Sequence, residues 1–287
     1  MKITEIISAD RPSLSFEVFP PKTSDNFDNV MAAARSIAEL KPSYMSVTYG
    51  AGGGTSTYTA DIASKLLSMG VTPLAHLSCI SATHSTIRER LDDLHARGIE
   101  NILALRGDIP KDFDPDRLEY HYACELASEI REYGGFCIGG ACYPESHPDS
   151  TNSAADIEAL KIKVESGCEF LTTQMFFDNN ILYNFLWRLR KAGVDVPVVA
   201  GIMPVTNAKS IRRICSISGT ALPQRFIRIV DRYGDNPAAM LQAGIAYATD
   251  QIIDLYANGI TNVHVYSMNK PDVAAKIQGN LSDILGK

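Results

Sequence analysis

Short apolar runs alternate with amphipathic segments along most of this chain. Eight runs are rich in β-branched and aromatic residues, and each is followed by a turn and a segment of helical periodicity. Most are continuous apolar runs, which is typical of parallel strands buried on both faces. The predicted strands are SLSFEVF (13–19), YMSVTY (44–49), TPLAHLSC (72–79), NILALR (101–106), CIGGACY (137–143), FLTTQMFF (170–177), VPVVAGI (196–202) and NVHVYSM (262–268).

The segment that follows the fifth strand carries a helix start signal. Ser153 precedes Asp156 at the spacing of a capping box, and Ile157, Leu160 and Val164 continue as an apolar stripe. The sequence therefore predicts a helix that Ser153 caps and in which Asp156 stabilises the first turn.

Eight strand–helix units at a spacing of roughly 30 residues predict a single-domain (β/α)8 TIM barrel over 1–287. The last connection is longer, and 207–217, 222–233 and 237–257 are predicted as extra helices before the final strand. A doubly wound open sheet shares the same alternation and is the alternative. No GxGxxG follows the first strand, and the AGGGT at 51–55 follows the second strand at the wrong spacing.

A barrel predicts that functional groups cluster where its strands end, on the carboxyl face. Polar side chains stand near these ends in seven separate parts of the chain, whereas most strand centres are apolar. The polar residues are Glu17, Thr48, Tyr49, His76, Arg106, Asp108, Tyr143, Glu145, Gln174, Tyr266 and Asn269.

Glu17 is an unusual residue within SFEVFPPK, because a buried carboxylate is costly unless it is paired or functional. One interpretation is a structural ion pair with Lys22 or Arg106. The other is a general acid–base, since the apolar neighbours Phe16 and Val18 would raise the pKa of the carboxyl.

The fourth strand ends in LRGD, where Arg106 offers a cationic fork, Gly107 permits close backbone approach and Asp108 can accept hydrogen bonds from a heterocycle. A salt bridge between Arg106 and Asp108 is the structural alternative. Gln174 and Phe177 at the end of the sixth strand suit a flat, polar heteroaromatic ligand.

The histidines and cysteines give weaker signals. His76 lies inside an apolar strand and has a core histidine as its default interpretation, whereas His147 in YPESHP lacks the spacing of a metal site. The six cysteines form no CxxC pair and are predicted to be free buried thiols, with no zinc or iron–sulfur cluster.

Overall composition narrows the classes of function. The chain is 45% hydrophobic and 21% charged with a net charge of −6, so neither nucleic acid nor an anionic membrane is an expected partner. We expect no membrane span and no signal peptide, and therefore a cytoplasmic protein.

Seven segments together resemble the 5,10-methylenetetrahydrofolate reductase family. They are SFEVFPPKT, SVTYGAGG, AHLSC, ALRGD, YPESHP, the predicted helix from Ser153 to Lys163, and TTQMFFD, in the family's order over nearly the whole chain. The resemblance is to the bacterial-type catalytic domain, without the C-terminal regulatory extension of eukaryotic members.

The resemblance implies a flavin-dependent oxidoreductase of one-carbon metabolism and methionine biosynthesis. FAD would bind noncovalently at the barrel mouth, and NAD(P)H would reduce it and leave before methylenetetrahydrofolate takes the same face, in a ping-pong hydride relay. Glu17 would be the acid that helps open the imidazolidine ring of the folate. Relatives form dimers or tetramers, so a homo-oligomer is expected, and some anaerobes use a partner protein as electron donor.

The resemblance also implies binding residues. Those for FAD are Tyr49, Ala51, His76, Arg106, Gly107, Asp108, Tyr122, Ala123, Tyr143, His147, Asp156 and Lys163. Those for folate or nicotinamide are Thr48, Asp108, Gln174, Phe177 and Lys270. The chain departs from the family's pattern at Ala159, Ile162, Ala208 and Lys270, where relatives carry Asn, Arg, an aromatic residue and Arg.

Two other functions are compatible with a barrel. A flavin-free lyase or aldolase would need a Schiff-base lysine at a strand end, but Lys22 and Lys270 both lie beyond strand ends. A flavin- or folate-binding barrel within an electron-transfer assembly would have no need of a desolvated acid at Glu17.

Overall fold

Eight parallel strands form a closed barrel in the order of the sequence. The computed structural model describes residues 1–21, 24–49, 56–108 and 118–287. The strands are β1 (Ser13–Val18), β2 (Met45–Val47), β3 (Pro73–Ser78), β4 (Asn101–Leu105), β5 (Cys137–Cys142), β6 (Phe170–Thr173), β7 (Val198–Ile202) and β8 (Asn262–Val265). The strand β1 pairs with both β2 and β8, which closes the sheet and confirms the predicted barrel over the open-sheet alternative.

Helices surround the barrel between the strands. Those in the described part of the chain are α1 (Ile3–Ile7), α2 (Phe27–Ala38), α3 (Ser56–Ser68), α4 (His84–Ala96), α5 (Ala123–Tyr133), α6 (Ser153–Glu165), α7 (Asn179–Lys191), α8 (Ala208–Ser218), α9 (Gln224–Tyr233), α10 (Pro237–Ala257), α11 (Pro271–Asn280) and α12 (Ser282–Leu285). A short 3-10 turn, Ser24–Asn26, precedes α2. The three helices α8, α9 and α10 confirm the predicted extra helices before the last strand.

The amino-terminal end of the barrel is closed by α1. Ile3 and Ile7 pack against interior side chains that include Tyr44, Leu103 and Phe170, all of them buried. Hydrophobic burial therefore closes this end of the barrel in the described part of the chain. None of the described helices is long and apolar enough to cross a membrane.

The start of α6 differs from the prediction. Its N-cap is Asn152, whose side-chain oxygen accepts hydrogen bonds from the backbone N–H groups of Ala154 and Ala155. The prediction of Ser153 as the cap was wrong, because Ser153 is the first helical residue and Asn152 has the extended backbone that a cap requires. Asp156 accepts a hydrogen bond from the Ser150 hydroxyl at 3.1 Å.

Candidate functional site

A cavity of about 960 Å³ opens at the carboxyl ends of the strands and extends into the barrel. It collects side chains from distant parts of the sequence because every parallel strand ends on the same rim. Of the predicted site residues, it is lined by Glu17, Thr48, Tyr49, His76, Asp108, Tyr143 and Gln174.

Glu17 on β1 and His76 on β3 form a buried pair at this cavity. Glu17 Oε2 lies 3.8 Å from His76 Nε2, and both side chains are more than nine-tenths buried. Burial raises the pKa of Glu17 to about 8 and lowers the pKa of His76 to about 3. Desolvation disfavours both charged forms, so the pair is a protonated carboxyl beside a neutral imidazole near pH 7.

Of the two ion pairs considered for Glu17 from the sequence, the one with Arg106 is not formed, and the one with Lys22 is not tested. Arg106 binds Asp149, with Nη2 donating to Oδ2 at 2.8 Å, and Lys22 lies outside the described residues. The alternative salt bridge between Arg106 and Asp108 is likewise wrong among the described residues, because Asp149 takes the guanidinium.

A second buried histidine, His264 on β8, lines the cavity and was missed by sequence reasoning. Its Nδ1 lies 2.7 Å from Ser15 Oγ and its Nε2 lies 2.9 Å from Ser46 Oγ. Burial lowers the pKa of His264 to about 3, so the imidazole is neutral near pH 7. Ser15 Oγ also donates to the Val263 carbonyl at 3.1 Å. With that bond formed, a neutral ring donates from Nδ1–H to Ser15 and accepts at Nε2 from Ser46.

One signal in the sequence could have found His264. Polar residues recur at alternate positions in two of the predicted strands, Ser15 with Glu17 and His264 with Tyr266. Period-two polarity in a strand that is buried on both faces indicates that one side faces a polar interior rather than the helices.

The β4 end carries a glycine that the backbone requires. Gly107 has a left-handed φ of +85°, and a Cβ built there would lie 2.0 Å from Ser78 Oγ. A side chain is therefore excluded by both strain and contact. Next to it, Tyr143 and His147 on the β5 loop pack edge to face with ring centroids 4.6 Å apart.

Several predicted FAD residues do not line the cavity and lie on α6 or at the start of α5. Lys163 Nζ donates to the Ala141 carbonyl at 2.6 Å, which holds this cation beside the end of β5. Asp156 is buried, whereas Tyr122, just before α5, is 63% exposed and Ala123 is the first residue of that helix.

Two of the residues predicted to bind folate or nicotinamide do not line the cavity. Phe177 is buried in a separate cluster, stacked on Phe226 at 5.3 Å between centroids. Lys270 is exposed at the start of α11 and donates to Thr206 Oγ1 at 2.6 Å. Ala51 lies outside the described residues. Ligand contacts by these residues remain predictions.

The cysteines are all free thiols, and five of the six are buried while Cys124 is half-buried. Within the described ranges no group of three or more His, Cys, Asp or Glu residues could hold a metal ion.

The family model described as methylenetetrahydrofolate reductase matches residues 2–282. The chain belongs to the methylenetetrahydrofolate reductase family. A 5,10-methylenetetrahydrofolate reductase from Pectobacterium carotovorum subsp. carotovorum is 34% identical over 269 residues, which cover 93% of this chain and 89% of that relative. This confirms the resemblance found in the sequence.

Members of the methylenetetrahydrofolate reductase family differ in length. The methylenetetrahydrofolate reductase (NADH) 1 of Arabidopsis thaliana is 33% identical over 98% of this chain, but the chain spans about half the length of that relative, 50%. Among solved structures, an uncharacterized Clostridium thermocellum protein that binds two copies of 5-methyl-5,6,7,8-tetrahydrofolic acid matches with a TM-score of 0.66. The alignment covers 100% of this chain and 99% of that protein at 12% identity, so this similarity shows a shared fold alone.

Proposed function

We propose that this chain catalyses the flavin-dependent reduction of 5,10-methylenetetrahydrofolate to 5-methyltetrahydrofolate, with Glu17 as the general acid. Family membership supports the reaction. The observation that carries the role of Glu17 is its burial at the ligand cavity, with a pKa raised to about 8. A carboxyl that keeps its proton at neutral pH can protonate a substrate nitrogen as the ring opens.

The residues around the cavity are compatible with FAD. A cavity of about 960 Å³ is the size of a cofactor site, and Thr172 Oγ1 on its wall is buried without a hydrogen-bond partner among the described residues. Arg106 and Lys163 would supply cations to the diphosphate, and Asp156 would accept from a ribose hydroxyl. When bound, the flavin supplies the hydride.

The remaining residues bind and orient the substrate. Asp108 and Gln174 line the cavity with a carboxylate and an amide, which suit the polar edge of a pterin. Thr48 would lie near the nicotinamide. Lys270, at the rim, would bind a folate carboxylate through a single ammonium group, without the two parallel hydrogen bonds that the arginine of relatives could make.

NAD(P)H is the proposed electron donor. The alternative is a flavin-binding barrel that a partner protein reduces. It is favoured by the departures on α6, where Ala159 and Ile162 replace the Asn and Arg of relatives and Ile162 is 46% exposed. Loss of these contacts would weaken flavin retention and change the approach of the donor.

An anaerobic titration followed by flavin absorbance tests the proposal. The purified protein should be yellow, NADH or NADPH should bleach it, and methylenetetrahydrofolate should restore the colour. Colourless protein that FAD cannot reconstitute would contradict the proposal. Bleaching only by a partner protein, with restoration by the folate, would favour the alternative donor.

A further inference from the structure

The loop between β8 and α11 contains a strained turn. Ser267 C=O accepts a hydrogen bond from Lys270 N–H at 3.1 Å, and the two central residues, Met268 and Asn269, both have φ of +55°. Left-handed φ at both central positions is typical of a type I′ turn, which normally uses asparagine and glycine. A methionine in that conformation is strained, and strain of this kind collects at functional sites.

This turn binds the end of the strand that carries Glu17. Ser267 Oγ donates to the Glu17 carbonyl at 2.8 Å. Asn269 Nδ2 donates to the Phe19 carbonyl at 2.9 Å, and Asn269 Oδ1 accepts from the Phe19 N–H at 2.8 Å. Two side chains thus make three hydrogen bonds to the backbone on either side of Val18.

These bonds replace a β-ladder that has ended. The last paired residues of β1 and β8 are Phe16 and Val265, so Glu17 and Phe19 lie beyond the backbone pairing on that side. Phe19 also carries the last N–H before Pro20 and Pro21, which have none to donate. The amide of Asn269 therefore binds the last residue of this segment whose backbone N–H can donate a hydrogen bond.

We propose that Ser267 and Asn269 are positioning residues for Glu17, holding its strand end so that the carboxyl stays buried at the cavity. The inference rests on the proposed role of Glu17 as the acid. On the other side, the same strand end is held next to β2, where the N–H of Thr48, the residue after that strand, donates to the Val18 carbonyl at 3.0 Å. The turn completes this support on the β8 side, at the cost of backbone strain that glycine would relieve.

The test compares three variants of the full chain. Asn269→Gly removes the amide clamp in a residue suited to positive φ, and Ser267→Ala removes the bond to Glu17. Met268→Gly is the matched control, because it relieves strain in the same turn while keeping both clamping side chains and Met268 is exposed. Each variant is compared with the parent chain and with Glu17→Gln.

Two readouts separate positioning from a general loss of structure. The first is the infrared band of the protonated Glu17 carboxyl, assigned by its disappearance in Glu17→Gln and titrated against pH. We expect Asn269→Gly to lower this midpoint by about one pH unit or more, because water reaches the released carboxyl. The second is kcat for folate reduction, which should fall about 10- to 100-fold with little change in KM, as expected for a misplaced catalytic group.

Ser267→Ala should shift both readouts in the same direction, and Met268→Gly should shift neither. Unchanged midpoints and kcat in both Asn269→Gly and Ser267→Ala would overturn the inference. Should Asn269→Gly fail to fold, Ser267→Ala decides the question alone. Full folate reduction by Glu17→Gln would instead contradict the proposed acid, while the infrared midpoints would still test the clamp.

Discussion

The carboxyl of Glu17 lies 3.8 Å from the imidazole of His76, and this buried pair carries no charge near neutral pH. An ion pair would require the proton to move to the imidazole, which burial disfavours. The proton therefore stays on the carboxyl, which can donate it to a ligand in the cavity.

Replacing Glu17 by glutamine should separate the two half-reactions. Glutamine keeps the size of the side chain but cannot donate a carboxyl proton, so folate reduction should fall about 100- to 10,000-fold. Reduction of the bound flavin by its donor should stay within about twofold of the parent, because hydride transfer to flavin uses no proton from Glu17. Stopped-flow absorbance measures each half-reaction separately.

The matched control is Glu39→Gln, at the exposed end of α2 and away from the cavity. It should leave both half-reactions unchanged. Normal folate turnover by Glu17→Gln would show that the buried carboxyl is not the acid.

Three buried groups should give the folding stability a maximum near pH 6.5. Folded Glu17 keeps its proton to about pH 8 but the unfolded carboxyl releases it near 4.5, so its contribution declines as pH rises between these values. His76 and His264 protonate near 6.5 when unfolded but only near 3 when folded, so their contribution is lost as pH falls below 6.5. Each proton changes the free energy of unfolding by about 1.4 kcal/mol per pH unit.

Urea unfolding between about pH 5 and about pH 9 measures this profile. In Glu17→Gln the free energy of unfolding should no longer decline above pH 6.5, but it should still decline as the pH falls below 6.5. If the parent and Glu17→Gln have parallel profiles over the whole range, Glu17 does not hold its proton in the folded state.

Asp108→Asn should raise the reduction potential of the bound flavin. Asp108 lines the cavity, and a negative charge there disfavours the anionic reduced flavin. The potential can be measured by anaerobic dye equilibration. Asp195→Asn, at an exposed position outside the lining residues, controls for the change in net charge. Equal potentials in all three proteins would show that Asp108 is too far from the flavin ring to act on it.

Gly107→Ala should destabilise the protein more than Gly70→Ala does. Both glycines have similar left-handed φ, +85° and +80°, so both variants incur the same kind of backbone strain. A Cβ at Gly107 would meet Ser78 Oγ at 2.0 Å, whereas one at Gly70 has nothing within 4 Å. Gly107→Ala should lower the free energy of unfolding by about 1–3 kcal/mol more than Gly70→Ala does.

Ser78→Ala in the Gly107→Ala background provides the check. Removing the hydroxyl should restore part of the additional loss in unfolding free energy. The recovery should be partial, because the backbone strain at position 107 and the other close contacts of the new Cβ remain. Equal unfolding free energies for Gly107→Ala and Gly70→Ala would mean that the strand end relaxes without cost.

The regular elements could be predicted from the sequence, whereas their ends could not. The run at 170–177 ends as a strand at Thr173, and Phe177 turns into a separate cluster on Phe226. Local composition continues across that point, but pairing with the neighbouring strands does not. The same limit applies at Asn152, which caps α6 through backbone geometry that residue spacing alone does not reveal.

Contacts between side chains from distant segments could not be predicted from the sequence either. The apolar setting of Glu17 indicated a desolvated acid, but not that His76 lies beside it or that Asn269 fixes the strand end 250 residues earlier in the chain. The hydrogen bonds of His264 to Ser15 and Ser46 likewise join three strands.

By itself, the sequence determined the strand–helix alternation, the parallel barrel and the rim where polar residues gather, because burial pattern and strand period are local properties of a chain. Only the tertiary structure decided which of those residues meet, which are charged and which are held in place. Closure of the barrel sets those distances and removes water from particular side chains, and both effects depend on segments far apart in the sequence.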